Sequence, residues 1–194
     1  MPSTSRMPRW TSFAFALSVV ATAGFVRADH DDFEDNQCRD FAGPFTSEAV
    51  PVPPCASPIG LCTHGTLGPN FPGSYDATFL SMVPAGDPND PTKFLYTGVS
   101  TITPGKGQTL GKFGVMTSVD TGVIHITGNG VTNPFVTTAA VNAGTKKFKH
   151  VTGLFVASGN IDFTTGQAAG GYTAHLCKGD DEHHHGHDHD DDDD

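Results

Sequence analysis

The chain has 194 residues, with 23 glycines, 14 prolines and a formal charge of −10. That punctuation excludes a coiled coil, the lack of a Gly-X-Y period excludes collagen, and a hydrophobic fraction of 37% excludes disorder throughout. Residues 29–40 carry six acids and residues 180–194 carry nine, whereas 41–179 hold six acids against seven lysines. The acidity therefore sits in two tails around a nearly neutral body. No basic footprint for nucleic acid is present, and neither nucleic acid nor an anionic membrane is an expected partner.

In chain order, Arg6 and Arg9 precede an apolar run from Trp10 to Val26, which ends Val26-Arg27-Ala28 before the polar Asp29-His30-Asp31-Asp32. This layout predicts an export signal over residues 1–28, cleaved after Ala28. The run is short for a membrane span. The mature chain is expected to be secreted or periplasmic, with no membrane attachment after cleavage. Residues 29–59 form an acidic and then Pro-rich lead-in, 60–179 the folded domain, and 180–194 a tail. Cys38, Cys55, Cys62 and Cys177 make an even set that suits an oxidising compartment, and two disulfides are expected. Spacing leaves all three pairings open.

Short runs of Val, Ile, Thr, Phe and Tyr recur between Gly, Pro and Asn/Asp breaks from residue 61 onward. Their period-2 alternation predicts strands near 61–67, 74–83, 93–103, 108–119, 122–128, 134–141, 151–163 and 169–177. Asp120-Thr121-Gly122-Val123 reads as a tight turn between two of them, and 162–167 as a slightly longer one. Pro84 to Pro91 reads as a loop. Eight strands without a helical crossover favour an all-β fold, an eight-stranded antiparallel closed barrel with disordered acidic termini, with an open sandwich as the alternative.

The order Gly65-Thr-Leu-Gly, Gly73-Ser-Tyr, Tyr96-Thr-Gly-Val-Ser-Thr-Ile-Thr, Gly144-Thr-Lys-Lys-Phe-Lys-His-Val-Thr-Gly153, Gly159-Asn-Ile-Asp and Gly171-Tyr-Thr-Ala-His-Leu-Cys177 resembles the allene oxide cyclase and dirigent-like barrel proteins, above all their secreted bacterial branch. The resemblance spans about residues 60–178 and implies a barrel whose first and last strands pair. With 61–67 as the first strand and 169–177 as the last, it implies disulfides Cys62–Cys177 and Cys38–Cys55. Directly opposed residues share a constant index sum, so His64 and His175 then become outward cross-strand neighbours and candidate metal ligands. Leu61, Thr63 and Leu67 would face inward, with Tyr172, Ala174 and Leu176. Such barrels can also associate through their outer faces, which makes a homo-oligomer an open partner.

The tail carries the strongest chemical signal. His183, His184, His185, His187 and His189 are interleaved with nine acids over residues 180–194. Nothing there can form a core. Neutral imidazoles with carboxylates around them bind Zn, Ni or Cu, with selectivity that follows intrinsic metal affinity. Divalent metal ions are thus the expected partners, and no cofactor is required. No Gly-x-Ser-x-Gly, His-Glu-x-x-His or Walker pattern occurs, and no catalytic residue is assigned. Asp76 is expected to face solvent, and Asp120 and Asp162 to serve turns. Tyr75, Tyr96 and Tyr172 are the candidates to line a lumen and meet a small apolar ligand. The expectation is a non-catalytic binding or structural barrel with a chelating tail. The alternative is a cyclase-like or dirigent-like enzyme or carrier acting in the lumen.

Overall fold

The computed structural model describes residues 37–51 and 54–179. Eight antiparallel strands close on themselves in chain order. They are β1 (Cys38–Val50), β2 (Cys62–Leu67), β3 (Gly73–Pro84), β4 (Lys93–Pro104), β5 (Met116–His125), β6 (Asn133–Gly144), β7 (Val151–Asp162) and β8 (Gln167–Lys178). Closure comes from the β1–β8 ladder, which runs from Cys38↔Cys177 to Glu48↔Gln167. Residues 1–28, where an export signal is expected, and the His/Asp tail lie outside the described residues.

The expected barrel is present, but two of its strands differ from the sequence reading. The first difference is β1, which lies in the segment read as a Pro-rich lead-in. Its inward positions are Phe41, Gly43, Phe45 and Ser47, a period-2 stripe that Pro44 obscures. Pro44 is tolerated because β2 pairing begins only at Phe45. The Pro44 carbonyl accepts the Gly68 N–H just beyond the end of β2, so the missing Pro44 N–H faces a gap in the ladder. The second difference is β5. It runs unbroken through Asp120-Thr121-Gly122, where a turn was expected, and 107–115 is a connection that opens on a short 3-10 helix (Gly107–Thr109), with positive φ at Gly107, Gly111 and Gly114. The expected turn at 162–167 is present, with Asp162 Oδ1 accepting the Thr164 N–H (2.7 Å) and hydroxyl (2.6 Å).

Why Gly122 belongs inside a strand follows from its partner. Each of the three tyrosines lies directly across the ladder from a glycine: Tyr172 from Gly43, Tyr75 from Gly65 and Tyr96 from Gly122. A Cβ at Gly65 or Gly122 would collide with the facing tyrosine ring, and one at Gly43 would stand 3.1 Å from the Tyr172 hydroxyl. The rings take up the space a side chain at each glycine would need, which lets three large side chains share one lumen.

The two barrel ends are unlike. At the end holding the 68–72, 105–115 and 145–150 loops, Phe71, Met116, Val151 and Leu176 are almost wholly buried and plug the lumen with Phe148, Val141 and Ile102. The opposite end, beside the β7–β8 turn, is lined by Phe79, Met82, Phe94 and Ile161. Outside, Val99, Val119 and Leu154 stand in one exposed row across β4–β7, and Leu95, Val123 and Val136 in a second across β4–β6.

Disulfides join Cys38 to Cys177 and Cys55 to Cys62. The implied Cys62–Cys177 and Cys38–Cys55 pairs are therefore wrong. Closure by the first and last strands holds, but the first strand is β1, so Cys38 is the residue opposite Cys177. On the chain-entropy view, a bond across a separation of 139 residues contributes ~4–5 kcal/mol. Gly122→Ala is expected to lower stability by about 1–3 kcal/mol through overpacking against Tyr96, read as the urea midpoint of unfolding.

Candidate binding cavity in the barrel lumen

Alternation along neighbouring strands sends a graded set of side chains inward. β4 contributes Tyr96, Ser100 and Ile102, β5 contributes Ser118, Asp120 and Ile124, and β6 contributes Phe135, Thr137 and Ala139. Between the plug and the opposite end, all of these but Ser118 enclose a cavity of about 130 Å³, walled also by Phe45, Phe79 and Phe155. Tyr75, Tyr96 and Tyr172 all line it.

The feature that the sequence reading placed elsewhere is Asp120. It is a buried mid-strand carboxylate, 6% exposed, and it faces the lumen instead of serving a turn. Ser118 donates to its Oδ1 (2.7 Å) and Ser100 donates to its Oδ2. Burial pushes the Asp120 pKa upward, against the opposing pull of the two serine hydrogen bonds. The signal was available: Met116, Ser118, Asp120, Gly122 and Ile124 form one period-2 series, and reading a turn at 120–123 broke it.

The three tyrosines line the same cavity as the carboxylate. Tyr96 bonds the Thr137 hydroxyl. Burial, then the nearby Asp120 charge, push its pKa up to about 12 despite that bond. Burial also raises the pKa of Tyr75, opposed by a hydrogen bond with Ser47. The Tyr172 pKa is pushed up to about 12 by burial, with a weaker opposing effect from the Phe71 backbone. Among the described residues, the Tyr172 hydroxyl is the buried side-chain oxygen left without a well-formed hydrogen bond. The lumen is therefore apolar-walled and neutral in its phenols, with one acid held by two serines.

The expected His64–His175 pair does not form, because β1 lies between β2 and β8. His64 sits opposite Glu48 and His175 opposite Asp40. Eight residues of β1 put them about 27 Å apart along the strand. Both histidines do face outward as expected, each bonded through Nδ1 to a carboxylate: His64 to Asp76 and His175 to Asp40, both at 2.7 Å. Asp76 faces solvent as expected. His183, His184, His185, His187 and His189 lie outside the described residues.

Two solved structures are similar to this chain, the pterocarpan synthase dirigent proteins GePTS1 and PsPTS1. The first is 17% identical, with a TM-score of 0.45 over 75% of this chain and 92% of its own. The second is 19% identical, with a TM-score of 0.45 over 76% of this chain and 99% of its own. No protein-family model matches the chain, and no curated protein matches it. Likeness at this level carries no ligand or activity across, so the site rests on its own residues.

For a carboxyl group whose folded pKa lies above its unfolded value, protonation favours the folded state. Stability is then highest at low pH and falls as pH rises from about 4 through the folded pKa. Asp120→Asn removes that loss. The variant is expected to gain stability over the parent at pH 7, with the gain shrinking towards pH 4, measured by urea unfolding at each pH.

Proposed function

We propose that the barrel is a binding module for a compact, largely apolar ligand. The ligand is about one aromatic ring in size and carries a hydroxyl or amine donor. The observation that carries this reading is a buried carboxylate in an aromatic-walled cavity of about 130 Å³. A cavity of roughly 150 Å³ accepts benzene, whereas drug-sized ligands occupy pockets of about 300 Å³ or more. Asp120 supplies an acceptor for the ligand's donor, and the Tyr172 hydroxyl, which lines the same cavity, supplies a second polar contact. Binding is proposed, and no turnover.

The test is titration of phenol, aniline, benzene and naphthol into the full chain, followed by calorimetry. Phenol or aniline is expected to bind about ten-fold more tightly than benzene, a difference that Asp120→Ala abolishes. Naphthol is expected not to bind. Equal affinity for benzene and phenol would remove Asp120 from recognition.

The same reading extends to two segments outside the described residues. Residues 180–194 chelate Zn, Ni or Cu, a reading supported by five histidines among nine acids. Residues 1–28 direct export, supported by the charge and apolar layout, and the two disulfides fit an oxidising compartment. Replacing His183, His184, His185, His187 and His189 by alanine in the full chain is expected to remove measurable Ni²⁺ binding in calorimetry. Unchanged binding would return the metal to the barrel.

A further inference from the structure

A second chemical cluster lies on the outside of the barrel, away from the lumen. At the β1–β8 seam, Asp40 Oδ1 is 2.7 Å from His175 Nδ1, and His175 Nε2 is 3.5 Å from Cys177 Sγ. Cys177 is bonded to Cys38. Among the described residues, Cys38, His175 and Cys177 are the group of three whose ligand atoms lie within 4.8 Å of one another. Cys38 and His175 are exposed. The carboxylate accepts the Nδ1 proton and turns Nε2 towards sulfur, which fixes the ring's orientation.

We propose that Cys38–Cys177 is a redox-active disulfide that exchanges with small thiols, with His175 as the proton donor to the leaving sulfur and Asp40 as its positioning residue. An incoming thiolate attacks the exposed Cys38 Sγ. A new S–S bond forms there, the Cys38–Cys177 bond breaks, and its electron pair departs on Cys177 Sγ, which takes the Nε2 proton of the His175 imidazolium while the Nδ1–H stays on Asp40, leaving a neutral ring. A second thiolate then attacks the small-thiol sulfur of the mixed disulfide. Cys38 leaves as a thiolate and the two small thiols depart as their disulfide, so one protein disulfide is reduced by two electrons. A leaving thiol stabilised by a neighbouring imidazolium departs faster. The barrel survives the opening, because ten further pairs, from Arg39↔Leu176 to Glu48↔Gln167, still hold the seam.

The other disulfide provides the internal comparison. Cys62 is buried and lies 3.9 Å from the Thr78 hydroxyl, a group that cannot act as an acid at neutral pH. The experiment is reduction of the full chain by glutathione at pH 7, quenched by alkylation and read for each disulfide by mass spectrometry. Cys38–Cys177 is expected to open about ten-fold faster than Cys55–Cys62. His175→Ala is expected to slow only the former, also by about ten-fold, and His175→Gln not to restore it. Asp40→Ala is expected to slow it as well, with Asp40→Glu recovering the rate. Equal rates at the two disulfides would overturn the proposal, as would His175→Ala or Asp40→Ala rates within about two-fold of the parent. Far-UV circular dichroism of each variant confirms that the barrel is intact.

Discussion

The β1–β8 ladder is the constraint on which the rest of the structure depends. A sheet of eight twisted strands has two edges unless they meet, and each open edge exposes a row of unpaired N–H and C=O groups. Here the edges meet over eleven residue pairs, and the Cys38–Cys177 bond secures one end of the seam. Closure creates an inside. Without it, Phe45, Tyr172 and Leu176 would have no common space to fill, and Asp120 would have no enclosure to be buried in.

The interior divides that space unequally. Phe71, Met116, Val151 and Leu176 fill one end to the density of a core. Along the lumen each tyrosine faces a glycine across the ladder, which saves width in a narrow barrel but leaves the hydroxyls inside. Each hydroxyl then needs a partner. Thr137 serves Tyr96 and Ser47 serves Tyr75. Asp120 is the costly member of the set, because burial disfavours its charged form and two serine hydrogen bonds offset only part of that. A folded chain keeps such a group where a buried acceptor has a use, and for that reason the lumen is read as a binding site rather than a leftover void.

The outer surface follows a different logic. His64 and His175 each meet an aspartate on a neighbouring strand, at nearly identical distance, yet only His175 also faces sulfur. Ordinary cross-strand pairing accounts for His64–Asp76. At the seam the same pairing stands beside a disulfide, and the hydrogen bond to Asp40 orients the His175 ring with Nε2 towards sulfur. The lumen and the seam lie on opposite faces of the sheet, so ligand binding and thiol exchange need not share a residue.

Local alternation was enough to determine the all-β class, the strands β2, β3, β4, β6, β7 and β8 to within a few residues, and the 162–167 turn. Each of these depends on period-2 patterning or on turn residues close together in the chain. The tertiary structure alone decided the membership of β1, the cysteine partners and the glycine opposite each tyrosine. All three depend on which strand lies beside which, and in what register, between residues up to 139 apart. Pro44 and Gly122 illustrate the reason. Read locally, one breaks a strand and the other makes a turn. In the closed barrel, the first faces a gap in its ladder and the second makes room for a ring.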